Sequence, residues 1–259
     1  AHNNDFNGMA EYFKEVESAG ADALLISDLG VFSVAKEAVP NMELHVSTQA
    51  NNTNYMSANM WYNLGARRVV VARELSLKEI KEIRDKIPED MEIEAFVHGA
   101  MCISYSGRCL LSNYLSGRDA NKGACAHPCR WKYYLVEETR EGEYMPIEEN
   151  ERGTYIYNSK DLCMLNHIPD LVESGVISFK IEGRMKTPFY VGTVIKAYRE
   201  AIDDYFESPE KYESRIPYYF EEISKASHRD YTTAFYYGKP GGNEQVYTSN
   251  TYIRNYDFI

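Results

Sequence analysis

The chain has 259 residues, of which 44% are hydrophobic and 26% charged, and its net charge is −11. This is enough chain and apolar content for one large domain with a core, which excludes global disorder, and no apolar run approaches the ~20 residues of a membrane helix. The acidity excludes nucleic-acid binding through a wholesale basic surface, although not through a local basic patch.

The opening Ala1-His2-Asn3-Asn4-Asp5 is polar, carries no apolar segment of an export signal and lacks an initiator Met, which predicts a cytoplasmic protein whose chain starts inside a longer one. Apolar residues at Met9, Tyr12, Phe13 and Val16 predict a helix ended by Gly20. A buried strand follows over 21–28, then a short helix over 31–38 stopped by Pro40. The unit repeats: a strand over 43–49, a helix over 55–64 ended by Gly65, and a strand over 67–74. Ser76 can cap a helix over 77–86, with Glu79 at capping-box spacing. A fourth strand spans 92–98. A fifth lies at 176–182, and Pro188 opens a long helix to about Phe206.

Strand–helix alternation implies parallel strands with crossover helices, and near-continuous apolar runs suit strands covered on both faces. Each strand ends in polar residues, which in a (β/α) barrel face the active site. The fold class expected is α/β: a TIM-barrel-like domain over 1–207, truncated at its N-terminus, since a closed barrel needs eight strands and five are visible. Residues 101–165 form a cysteine-rich insertion with a hairpin over 131–137 and 154–157. Residues 208–259, where the periodicity fails and tyrosine is abundant, read as the start of a β-rich C-terminal extension.

Four of the five cysteines, Cys102, Cys109, Cys125 and Cys129, lie within 28 residues, and Cys163 follows. An odd, clustered set without an export signal argues against a secreted disulfide framework and for thiols that hold a metal in a reducing compartment. Structural zinc usually takes paired knuckles, and only Cys125 and Cys129 are so spaced. A four-thiolate iron–sulfur site tolerates irregular spacing. The plainer alternative is a set of buried thiols. Gly99, Gly107 and Gly123, each near a cysteine, favour tight loops around a ligand.

The run Glu94-x-Phe96-x2-Gly99-Ala-Met-Cys102-x4-Gly107-x-Cys109-x-Leu-Ser112 resembles the defining motif of the collagenase-like peptidase family. That family includes bacterial tRNA-uridine hydroxylation proteins and relatives acting in oxygen-independent ubiquinone hydroxylation. The resemblance extends to His45-Val-Ser-Thr-Gln49, Val71-Ala-Arg73-Glu74, Asn158-Ser-Lys-Asp161 and Phe179-Lys-Ile-Glu-Gly183-Arg184. It implies a [4Fe–4S] cluster on Cys102, Cys109, Cys125 and Cys163, with the Cys125-x3-Cys129 pair leaving the fourth ligand open. It implies an RNA-modification enzyme that forms 5-hydroxyuridine at the tRNA wobble position, with prephenate as co-substrate. The alternative is a collagenase-like peptidase with a protein substrate, and a third reading is a scaffold for a catalytic partner.

Glu94, His98 and Glu182 are the candidate catalytic residues. His98 could equally be a core histidine, and Glu94 a buried carboxylate paired with Arg or Lys. Gln49, Arg73, Glu74, Lys180 and Arg184 are the candidate substrate-binding residues. Arg73, Lys180 and Arg184, at strand ends, are expected to meet near Cys102 as a clamp for an anion; an internal ion-pair layer is the competing reading. No H-E-x-x-H or G-x-S-x-G motif supports proteolysis.

Overall fold

The computed structural model describes residues 1–102, 104, 109–120, 123–131, 160–239 and 253. Apart from Trp131, the expected hairpin lies outside the described residues. Among the described residues the strands are β1 (Ala23–Ile26), β2 (Glu43–Val46), β3 (Arg68–Val70), β4 (Glu92–Ala100), β5 (Asp161–Cys163), β6 (Ser178–Ile181) and β7 (Tyr231–Thr232). The helices are α1 (Met9–Ser18), α2 (Leu29–Ala38), α3 (Tyr55–Leu64), α4 (Leu77–Lys86), α5 (Leu111–Ser116), α6 (Ile168–Glu173), α7 (Pro188–Glu207) and α8 (Pro209–Ser224).

β1 to β4 pair in sequence order and in parallel, and β6 pairs in parallel with β4. The chain is therefore a mixed α/β protein built on parallel strands and crossover helices, as the alternation predicts. Local chemistry sets the helix ends. Asp28 and Asn54 cap α2 and α3 by accepting from the amides of Val31 and Ser57. Ser76 and Glu79 form the expected capping box on α4. Thr187 caps α7, whose first residue is Pro188. The core lies between sheet and helices, and Val69, Val70, Ile93, Ala95 and Val97 on β3 and β4 are fully buried.

Two features depart from expectation. β5 is a three-residue strand antiparallel to the end of β4, and β7 pairs with it in parallel; three residues carry no readable periodicity. Residues 209–224, expected to open a β-rich extension, instead form α8, a 16-residue helix packed on α7. Pro217 inside it hides the helix from sequence reading, because proline lacks the amide an inner turn uses. The helix is held by contacts that sequence patterns do not show. Lys211, Arg215 and Tyr219, one turn apart, all reach the buried carboxylate of Asp204 on α7, and Tyr212 donates to the Leu165 carbonyl at 2.9 Å.

Candidate functional site

The C-terminal ends of β2, β3, β4 and β6 open into a cavity of about 370 Å³. Its polar lining includes Gln49, Arg73, Lys180, Glu182 and Arg184, and its thiols are Cys102, Cys109, Cys125 and Cys129. The three expected cations meet there, close to Cys102. None of the five cysteines is disulfide-bonded.

A close approach of backbones fixes the cavity floor. Gly99 has φ +107°, and a Cβ there would sit 2.4 Å from the Glu182 carbonyl oxygen. Only glycine lets the end of β4 lie against the segment that carries Glu182. Glu182 accepts from the Arg184 amide at 3.0 Å through Oε1, and Oε2 is buried with no hydrogen-bond partner. The Arg73 guanidinium stacks on Phe96, 3.7 Å from the ring centroid, and its Nε is likewise buried without a hydrogen-bond partner. Burial pushes the Arg73 pKa below the usual guanidinium value, against the pull of Cys102 and Glu182. Gln49 donates to the Ala120 carbonyl at 2.6 Å, tying the 110–120 segment to the end of β2. Glu74 follows Arg73 but does not line the cavity.

The thiols sit in a polar shell. Cys125 Sγ accepts from the His127 amide at 3.3 Å. Burial raises the Cys102 pKa, while the Ser104 amide and then Arg73 pull it down. His127, in a left-handed conformation between Cys125 and Cys129, lies 3.9 Å from Glu182 Oε1. Among the described residues, no three His, Cys, Asp or Glu side chains close on a point suited to a single metal ion.

Besides Glu74, the structure moves three candidates out of the site. Cys163 is buried on β5 and does not line the cavity; its Sγ lies 3.9 Å from the Tyr198 hydroxyl, and burial pushes its pKa up to about 12. Cys129 stands at the cavity where Cys163 was expected. His98 is fully buried, with its ring centroid 5.5–6.0 Å from those of Tyr190, Tyr198 and Tyr231. Simple alternation would put His98 on the same face as Glu94 and Phe96. The register of β4 against β6 shifts between Phe96 and His98, and such a bulge turns the following side chain to the opposite face. Burial depresses the His98 pKa to about 3, so the ring is neutral. Glu94 does not line the cavity and is an ion-pair residue. It accepts from Lys180 at 2.6 Å, Ser178 at 2.8 Å and Arg68 at 3.2 Å. Burial raises its pKa, but those donors outweigh burial and hold it below the usual carboxylate value.

Sequence reasoning left Cys129 open as the fourth ligand and read His127 as a loop residue rather than a ligand; both line the cavity. The Cys125-x3-Cys129 spacing was the available signal.

Comparison with known proteins places this geometry in context. The chain is 39% identical over its whole length to tRNA hydroxylation protein P1 of Bacillus subtilis, covering 60% of that protein. It is 39% identical to tRNA hydroxylation protein P of Escherichia coli, over 90% of the chain and 59% of the relative. It is 43% identical to an uncharacterized protease of Methanocaldococcus jannaschii, over 91% of the chain and 56% of the relative. The chain thus spans somewhat under two thirds of the length of these relatives. Among the described residues no helix is long and apolar enough to cross a membrane. The family model of peptidase family U32 matches residues 1–246, and the chain belongs to that family.

Proposed function

We propose that this chain carries the catalytic cavity of an RNA-hydroxylating enzyme, acting on tRNA like the relatives named for that reaction. The observation that carries the reading is the convergence of four thiols, three cations and one carboxylate at the ends of parallel strands, with Arg73 Nε and Glu182 Oε2 buried and without hydrogen-bond partners. The five parallel strands read as part of a TIM-type barrel, whose strand ends form the active face.

Cys102, Cys109, Cys125 and Cys129 would hold a [4Fe–4S] cluster. Amide donation to the Cys125 sulfur suits a thiolate ligand, because hydrogen bonds to cluster sulfurs tune its potential. Four thiols lining one cavity match the ligand count of such a cluster. When bound, the cluster would supply one-electron redox chemistry.

The chain's own groups do the rest. Arg73, Lys180 and Arg184 bind the carboxylates of an anionic co-substrate, for which prephenate is the proposed identity, by charge-assisted hydrogen bonds. Arg73 presents a donor that desolvation has already stripped of water, so a carboxylate gains fully from it. Glu182, with one buried oxygen unsatisfied, is placed to accept a proton at Oε2. Stacking on Phe96 and contact with the end of β4 fix Arg73 and Glu182 before substrate arrives.

A peptidase reading also has named relatives behind it. Its simplest form, a cysteine nucleophile with His98 as base, loses its base to the protein core. Deleting the gene and analysing total tRNA by nucleoside mass spectrometry should remove 5-hydroxyuridine-type nucleosides. Restoring the gene with Arg73→Ala should not bring them back. Unchanged nucleosides in a strain without a paralogue overturn the proposal, and anaerobic cleavage of gelatin that is lost with Cys102→Ser would establish proteolysis instead.

A further inference from the structure

The cavity mouth carries a set of exposed aromatic and apolar side chains that the proposed chemistry does not use. α5 lies between two cavity-lining positions, Cys109 and Ala120. On it Tyr114 is 86% exposed, and Leu110, one turn earlier on the same face, is 72% exposed. Trp131, two residues beyond the cavity-lining Cys129, is 47% exposed. The two segments form one rim. Ser112, buried on the inner side of α5, accepts from the Ala126 amide at 2.9 Å, and α5 packs on the turn Pro128–Arg130. Exposed aromatic and apolar side chains grouped on one rim, beside a polar cavity, mark a surface that a ligand can use.

Charge identifies what covers them. In a chain of net charge −11, this cavity is lined by three cations: Arg184 at its mouth, and behind it Arg73, whose Nε is buried, and Lys180, which also pairs with Glu94. Arg184 is exposed, and its guanidinium lies 3.5 Å from the position a Cβ would take on Gly123, across the mouth from β6. Cations within a cavity and flat aromatic faces on its rim match a strand with anionic phosphates and stackable bases. A protein substrate would use the apolar faces but not the concentration of positive charge.

We propose that Tyr114 and Trp131 are stacking platforms for unpaired nucleobases of a single-stranded RNA segment, holding the strand while one base enters the cavity. The inference rests on the RNA reading above and adds the residues and the strand state that are recognised. Single-stranded rather than paired RNA is required, because bases in a helix keep their faces against each other and cannot offer them to a side chain.

The test is fluorescence anisotropy with the full-length protein. The probes are an unstructured uridine-rich RNA of about ten nucleotides, its duplex with a complementary strand, and an abasic ribose-phosphate strand of equal length. Tyr114→Ala and Trp131→Ala should each weaken the single-stranded RNA roughly fivefold or more. Neither should affect the abasic strand or the salt slope, which reports phosphate contacts. Tyr114→Phe and Trp131→Phe should restore binding, since the ring and not the polar atom is used. Tyr12→Ala, an exposed tyrosine on α1, should change nothing.

If the wild type binds single-stranded RNA and both alanine variants bind equally well, the platforms are wrong and the RNA reading stands. If the wild type prefers the duplex, the strand state is wrong. If no RNA binds and a gelatin peptide does, with loss in the alanine variants, the rim serves protein and both readings fall.

Discussion

Two charged clusters lie on β3, β4 and β6 or just after them, and they differ in how fully their groups are satisfied. Toward the N-terminal half of the strands, Glu94 takes donors from Lys180, Ser178 and Arg68, and Arg68 also bonds Glu92 at 2.6 Å. At the C-terminal ends, Arg73 and Glu182 each keep a buried polar atom with no hydrogen-bond partner. A closed network is what stability selects, because an unsatisfied buried group costs free energy. Groups left open in a cavity are what a ligand can use. Lys180 belongs to both regions, since it pairs with Glu94 and lines the cavity.

The largest effect should separate the cysteines. After anaerobic reconstitution, Cys102→Ser, Cys109→Ser, Cys125→Ser and Cys129→Ser should each lose most of the iron, the sulfide and the broad absorbance near ~400 nm expected of thiolate-ligated iron. Cys163→Ser should keep them. Loss of iron in Cys163→Ser with retention in Cys129→Ser would reverse the assignment of the fourth ligand.

Breaking the closed network comes next. Glu94→Ala leaves Arg68 and Lys180 facing each other without their shared anion and should destabilise the fold by about 3 kcal/mol in urea unfolding. Glu182→Gln should cost under about 1 kcal/mol, because Oε2 has no partner to lose, yet reduce the proposed hydroxylation at least tenfold. Equal destabilisation by the two variants would erase the distinction between the regions.

His98 makes a pH-dependent contribution of intermediate size. Its folded pKa of about 3 lies below the usual histidine value of 6.5. The unfolded chain therefore binds a proton that the folded chain refuses. Stability from this residue is complete above pH 6.5 and falls as pH drops toward 3, by about 1.4 kcal/mol per pH unit within that window. His98→Gln should flatten the decline between pH 6 and pH 4 by that slope. An unchanged slope would mean that His98 is protonated in the fold.

The smallest effect should be Arg73→Met. A buried guanidinium with a stranded Nε costs desolvation, so methionine over Phe96 should leave stability within about 1 kcal/mol of wild type or raise it. Binding of a dicarboxylate should fall at least tenfold. A loss of several kcal/mol in thermal unfolding would make Arg73 structural.

The sequence by itself determined the parallel α/β architecture, because apolar periodicity, caps and glycine stops are local signals, and α3, α4 and β4 follow them closely. It also marked Gln49, Arg73, Lys180, Glu182, Arg184 and three of the thiols, since polar residues at the ends of apolar strands are readable one strand at a time. Tertiary structure decided the rest. A register shift in β4 turned His98 from the cavity to the core, and strand periodicity cannot show where a residue is inserted. β5 carried Cys163 into the sheet and left Cys129 at the cavity, a choice made by pairing between segments some 60 residues apart. α8 formed across Pro217 because Asp204 of α7 offered its side chains one shared buried partner. Each of these outcomes depends on long-range contacts, and no local pattern in the chain records them.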